Sequence, residues 1–469
     1  MHNIAIADLI PIVLYLVLLF WLGFKSRRNH PSQEEFLLSG RSLTIPAFVA
    51  TLVTTWYGGI LGIGEFVHKS GISAWLMLGL PYYIFAIIYA LWLAPRIRNS
   101  GAVSIPDMLQ SVYGKKAGLI GGVFLIIMTS PAPYILMLGV LLQMLFGFGF
   151  YISIIAGTVI SIVYVYWGGF RSVVATDKLQ FVFMFGGFIL LLIFLIADVS
   201  PVEMIGRLDE GHTSLSGHLT WQEIVVWFLI ACWTFIDPGF HQRCAAAKTP
   251  KTAQYGILIS VGFWFVFDTL TITCGLYAFV LYPQIDPLTA YPYLASLYLP
   301  VFLRGIFYTG LMAIIMSTID SYTFLSALSF GNDIILKLKN NHGHKDVVNT
   351  WIRIGLIFTG LVSIGLIIAM PSVISLWYNL GSLFIPPLII PLVAGFSEKL
   401  RPSPVAVIIM MCISFGISFG WYLIGQLNSV NGSAVYPLGM EPFFPGMLFS
   451  ILSYITDLLC KAFIRNVTH

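Results

Sequence analysis

Apolar residues run along this chain in long unbroken stretches, each closed by a charged residue, a glycine or a proline. Such runs lie at about 8–24, 45–68, 73–94, 116–146, 151–167, 173–198, 221–243, 252–283, 300–333, 349–370, 372–398, 403–424 and 441–460. A helix needs about 20 apolar residues to cross a bilayer. Lipid offers no partner to an unpaired backbone group, so a spanning segment is a helix or part of a closed barrel, and barrel strands alternate in polarity. These runs do not alternate. The pattern predicts an all-α integral membrane protein with about thirteen transmembrane helices.

The basic residues sort by side. Short loops rich in Lys and Arg stay cytoplasmic. With the N-terminus outside, the alternate loops and a cytoplasmic C-terminus hold every Lys and Arg of the 24 except Lys69, Arg207 and Arg304. One helix more or fewer would scramble every later loop, so the split supports the span count as well as the orientation. It assigns Arg27, Arg28 and Arg243, among others, to cytoplasmic loops, and leaves no Lys or Arg at the centre of a span.

Composition narrows the class. Only 9% of the 469 residues are charged and 58% are hydrophobic, whereas a soluble domain carries roughly 25% charged residues. Soluble enzymes, nucleic-acid binders and disordered scaffolds are excluded, and the net charge of +4 points to no polyanionic partner. Cys232, Cys244, Cys274, Cys412 and Cys460 show no paired spacing and read as reduced packing residues. The first run has no charged n-region or small-residue cleavage site, so it reads as a retained helix. No loop is long enough to fold separately, which argues against a soluble catalytic domain and against a sensor with an appended signalling domain. His68, His212, His218 and His241 lack the spacing of a metal site, so no enzyme is expected.

Two spans are interrupted. The run from Ala50 contains Thr54-Thr55-Trp56-Tyr57-Gly58-Gly59-Ile60-Leu61-Gly62-Ile63-Gly64, and each glycine weakens a helix by about 1 kcal/mol against Ala. The run at 221–243 contains Trp233-Thr234-Phe235-Ile236-Asp237-Pro238-Gly239-Phe240-His241, turn chemistry in mid-span. The two spans stand five apart in order. Breaks at corresponding positions of two halves mark a transporter's central site, and a five-helix unit repeated once is inverted because five crossings end on the opposite side. Glycines for close helix packing and a simple proline kink are the alternative.

Gly168-Gly169-Phe170-Arg171-Ser172-Val173-Val174-Ala175-Thr176-Asp177-Lys178-Leu179-Gln180 resembles the signature of the sodium/solute symporter family. So does Ala313-Ile314-Ile315-Met316-Ser317-Thr318-Ile319-Asp320-Ser321, with Gln242-Arg243 and Ala246-Ala247-Lys248 as a third block. The resemblance implies a leucine-transporter-like fold: an N-terminal extra helix and loop (1–44), a first repeat (45–220), a second inverted repeat (221–400) and two C-terminal helices (401–469). It implies sodium as the coupling ion, held by the carbonyls of Leu52, Thr55 and Ile314 and the hydroxyls of Ser317 and Thr318, a set of neutral oxygens that suits a hard cation. Residues 314 and 317 are three apart and share a helix face. For the two hydroxyls the alternative is back-bonding to their own helix. Asp177 matches a position that takes a second cation or a proton, or else pairs Arg171 or Lys178 at the surface. Asp320 is expected to position its helix.

Solute would lie at the breaks, with Trp56, Tyr57, Gly58, Gly59, Ser130, Tyr134, Trp233, Phe235, Asp237, Phe240, His241 and Tyr378 as candidates. Intramembrane acids are costly and by default functional, which singles out Glu65, Asp237 and Asp268. Asp237 either binds solute or caps the half-helix after Pro238. The absence of a central Lys or Arg disfavours a dianion, while a half-helix N-terminus could still hold a monocarboxylate. The expected protein is a monomeric plasma- or inner-membrane symporter of sodium and a small organic solute working by alternating access; a proton-coupled carrier using Asp177, Asp237 or Glu65 is the rival.

Overall fold

The computed structural model describes residues 4–26, 32–217, 219–339, 345–370, 372–429 and 434–467. Arg27, Arg28 and His218 lie outside the described residues. Twelve helices there are long and apolar enough to cross a membrane. In chain order, with one shorter apolar helix (α5), they are α1 Ile6–Lys25, α2 Ile45–Ser70, α3 Trp75–Ser100, α4 Lys115–Phe146, α5 Phe150–Ile160, α6 Gly169–Asp198 and α7 Trp221–Ala246, then α8 Pro250–Leu281, α9 Leu303–Leu336, α10 Asn349–Ala369, α11 Val373–Gly395, α12 Pro404–Leu427 and α13 Phe443–Ile464.

The run expected at 151–167 lies on a helix that continues unbroken from Phe150 to the bend at Gly169, of which Phe150–Ile160 is a shorter apolar piece. α5 and α6 are parts of one continuous helical stretch, Phe150–Asp198, bent at Gly169 with φ 59° and ψ −155°. A side chain there would meet Phe36 at 2.7 Å, so the second glycine of the Gly168-Gly169 signature supplies both the left-handed φ and the close approach.

α9 is the axis of the bundle: its apolar window is wholly buried, against 6% for α13 at the periphery. Close packing explains its small residues. A Cβ on Gly305 would lie 2.3 Å from the Asp8 carbonyl of α1, and one on Gly310 would lie 2.7 Å from the Phe183 carbonyl of α6. At one end Asp8 accepts from the Phe302 amide and from the Arg304 guanidinium, which ties the leading helix to α9.

Both expected interruptions are present. α2 runs as Ile45–Trp56, a 3-10 turn Tyr57–Gly59 and Ile60–Ser70. α7 runs as Trp221–Ile230, Trp233–Ile236 and Pro238–Ala246, with Asp237 extended at φ −68°, ψ 117° between the last two. α11 contains Pro386, Pro387 and Pro391. Ser450 donates to the Pro386 carbonyl at 2.7 Å and Tyr113 to that of Pro391 at 2.9 Å, as polar backbone in lipid requires.

Candidate ion and solute site

The first arm of α2 brings Thr51 and Thr55 against α9 and α6. Thr55 Oγ1 lies 3.4 Å from Ser317 Oγ and 3.1 Å from Ser321 Oγ, and the Thr318 hydroxyl donates to the Thr55 carbonyl at 2.7 Å. Ser317 donates to Asp177 Oδ1 at 2.6 Å, and Thr51 donates to Asp177 Oδ2. Ser321 lies four residues from Ser317 and three from Thr318, on the side of α9 that meets α2. Their hydroxyls reach across to α2 and α6, so back-bonding is not the arrangement found. Leu52 and Ile314 are buried on the same two arms. Asp177 is fully buried, away from any surface pairing with Arg171 or Lys178.

Arg243, assigned to a cytoplasmic loop from the sequence, is instead 0% exposed inside the bundle. Its Nη2 donates to Thr55 Oγ1 at 2.7 Å, Ser321 Oγ at 2.8 Å and Thr51 Oγ1 at 3.0 Å, and stands 4.0 Å from Asp177. The reason is tertiary: the second arm of α7, Pro238–Ala246, packs between the others instead of leaving the bundle. A residue counted as a loop cation thus becomes the counter-charge of Asp177. Asp320 is buried, and neither of its carboxylate oxygens has a hydrogen-bond partner among the described residues, so the helix-positioning role expected for it has no contact behind it.

A cavity of about 120 Å3 opens beside the break in α2. Trp56, Gly59, Ser130, Tyr134 and Trp233 line it as expected, and the fold adds Tyr82, Trp227, Tyr322 and Trp377. Other candidates lie behind this wall. Tyr57 turns its buried ring to α8, where its hydroxyl meets Asp268. Gly58 is pressed against Thr318, since a Cβ would sit 2.1 Å from Thr318 Oγ1. Phe235 packs on Phe85 and Tyr89, and Phe240 on Trp56 and Trp264. His241 is buried with neither ring nitrogen hydrogen-bonded among the described residues. Tyr378 packs beside Trp227 with ring centroids 6.0 Å apart, while its neighbour Trp377 takes the cavity position.

Asp237 does what its place before Pro238 suggests: Oδ1 accepts from the Phe240 amide at 2.9 Å and caps the second arm of α7. Its other oxygen accepts from Trp233 Nε1 at 2.9 Å and from the Tyr322 hydroxyl at 2.6 Å. Both of those rings face the cavity. Glu65 is no isolated acid, because Lys69 Nζ one turn on lies 2.6 Å from it.

The comparisons with known proteins decide what this arrangement belongs to. The sequence model of the sodium:solute symporter family matches residues 36–396. The chain belongs to that family. A high-affinity choline transporter of Drosophila melanogaster is 25% identical over 412 residues, covering 80% of this chain, which in turn spans 64% of that protein's length. A sodium/glucose cotransporter of Vibrio parahaemolyticus is 24% identical over 392 residues, 71% of this chain and 69% of its own length. The solved structure of a Na+-coupled sialic acid symporter, bound to substrate and outward-open, superposes with a TM-score of 0.80 at 16% identity, covering 97% of each chain. This symporter-family chain therefore has the leucine-transporter-like fold expected of it, with two interrupted helices at its centre. It is a multi-pass membrane protein and a transporter rather than an enzyme.

Proposed function

We propose that this protein carries a small organic cation across the cell membrane together with sodium, by alternating access, as a monomer with its N-terminus outside and its C-terminus cytoplasmic. The first repeat spans 45–220 and the second 221–400, between 1–44 and 401–469. Supporting the sodium assignment is the meeting of Thr55 with Ser317 and Thr318, from the interrupted helix and from the axis of the bundle. Sodium would take the carbonyls of Leu52, Thr55 and Ile314 and the hydroxyls of Ser317 and Thr318, replacing the Thr318–Thr55 hydrogen bond with two oxygens turned to one ion. Asp177 takes a second cation or a proton only when Arg243 withdraws, because the guanidinium already offsets its charge.

The solute class rests on the cavity wall. Trp56, Trp227, Trp233 and Trp377 line it, an aromatic setting of the kind that holds an ammonium group by cation–π attraction. Asp237 accepts from the edges of Trp233 and Tyr322, which makes both rings richer in negative charge toward the cavity. No Lys or Arg lines it among the described residues, and the N-terminus of the α7 arm is already capped by Asp237, so a carboxylate finds no partner there. The name of the fly relative, a choline transporter, agrees with this class.

Melting of the detergent-purified protein in NaCl against KCl at equal ionic strength tests the sodium assignment. A ligand at a hundred times its dissociation constant stabilises by about 2.7 kcal/mol. A sodium-specific rise is expected, lost in Ser317→Ala with Thr318→Ala; equal melting in both salts refutes it. Choline and tetramethylammonium, added in sodium, should each raise the melting temperature further. Sugars should not.

A further inference from the structure

Asp268 sits in the middle of α8, 7% exposed, and belongs neither to the ion network nor to the cavity wall. Its contacts run to the interrupted helix. Tyr57, first residue of the 3-10 turn, places its hydroxyl 2.8 Å from Asp268 Oδ1 and 3.0 Å from the Trp264 carbonyl, and its ring on Phe267 at 4.5 Å. Tyr83 of α3 donates to Asp268 Oδ2.

The proton count is informative. A tyrosine hydroxyl has one proton to donate, whereas a carboxylate and a carbonyl are both acceptors. Tyr57 and Tyr83 donate to the two carboxyl oxygens, and a proton on Asp268 would supply a donor to the Tyr57 oxygen and free the Tyr57 hydroxyl for the Trp264 carbonyl. The surroundings agree, since no ion pair reaches Asp268 among the described residues. The titratable groups facing it are Tyr57, Tyr83 and Tyr291, whose hydroxyl donates to the Thr271 carbonyl at 2.9 Å. On the helices packed on α8, Glu65 pairs with Lys69, Asp177 accepts from Ser317 and Thr51, Arg243 donates to Thr51, Thr55 and Ser321, Arg96 to the Trp92 carbonyl and Arg98 to that of Ala247. An ionised Asp268 would be a charge without a counter-ion inside the membrane.

We infer that Asp268 is a proton-binding site: it holds a proton in this conformation and releases it to water when the turn at Tyr57–Gly59 changes shape. The step breaks one O–H bond of the carboxyl and leaves a carboxylate, with no redox change. Proton binding and the geometry of the broken helix then bias each other reciprocally. This holds whatever ion or solute the cavity takes.

Infrared spectroscopy of the purified full-length protein with isotope-labelled aspartate, titrated from about pH 5 to about pH 8, tests it without sodium or solute. The wild type is expected to show a protonated-carboxyl C=O band near neutral pH that is lost in Asp268→Asn, whose amide mimics the neutral acid. Tyr57→Phe and Tyr83→Phe, each removing one hydrogen bond, should shift that band. If the Asn variant does not fold, the phenylalanine variants decide. Identical carboxyl bands in wild type and Asp268→Asn, or a band unmoved by both phenylalanine variants, overturns the assignment.

Discussion

Gly58 and Gly59 are neighbours that face different sites, so one added methyl group at each should separate ion binding from solute binding. A Cβ on Gly58 would lie 2.1 Å from Thr318 Oγ1 and 2.2 Å from Thr318 Cβ. Carbon contacts relax near 3.5–4.0 Å, so α2 and α9 would have to part by roughly 1.5 Å at the hydroxyl assigned to sodium. Thr318 is fully buried on a fully buried helix and cannot swing aside. Overpacking of this kind costs about 1–3 kcal/mol, and if that falls on the ion-bound geometry, sodium affinity drops roughly 5- to 150-fold. A Cβ on Gly59 would instead lie 2.1 Å from Trp377 Cη2, and that ring can shift into the cavity. Gly59→Ala should therefore keep sodium affinity near that of wild type and weaken the binding of choline or tetramethylammonium. The assay is the melting temperature against sodium concentration at constant ionic strength, repeated with the ammonium probe in saturating sodium. A Gly58→Ala protein with wild-type sodium affinity, or a Gly59→Ala protein that loses it, would refute the division of labour.

Three further outcomes follow from the same contacts. Arg243→Ala leaves Asp177 buried without its counter-charge, and breaking a buried pair costs about 3–5 kcal/mol; a wild-type melting temperature in this variant would show that the guanidinium does not hold the network together. Trp56→Leu keeps an apolar side chain but removes the aromatic ring, so the ammonium probe should bind more weakly by about 0.5–2 kcal/mol with sodium affinity retained, read by titration of the melting shift. Glu441, just ahead of α13, is held above the usual carboxylate range by burial, with Glu223 adding like-charge repulsion and a Tyr378 hydrogen bond opposing both. A carboxyl raised in the folded state is destabilising once ionised, so its effect sets in as pH climbs above the ordinary value near 4.5 and is complete past the raised folded value. Glu441→Gln should flatten that part of the stability profile; an unchanged profile argues against it.

Much of the centre was legible along the chain because its cues are local. Gly58-Gly59 weakens a helix and Asp237-Pro238-Gly239 is turn chemistry, and Ser317 and Ser321, four apart, share one helix face. Which neighbour a face meets is not local. Trp377 and Tyr378 are adjacent aromatics about 100° apart around α11, and only packing chose Trp377 for the cavity. Phe235 and Phe240 flank the break in α7 yet pack behind the wall. Arg243 read as a loop cation because its short polar helix looks like a span end.

Hydropathy by itself determined that the chain is a bundle of membrane helices, since the cost of polar groups in lipid is settled residue by residue. It could not say which helix is central. α9 and α13 have nearly equal window hydropathies, 1.5 and 1.6, yet one is 100% buried and the other 6%. Lipid tails are as apolar as a leucine side chain, so a lipid-facing helix and a protein-facing one carry the same apolar pattern. Only the tertiary structure, through the close approach that small residues allow and the hydrogen bonds that Thr55, Ser317 and Arg243 make across helices, decided which polar groups would share a site.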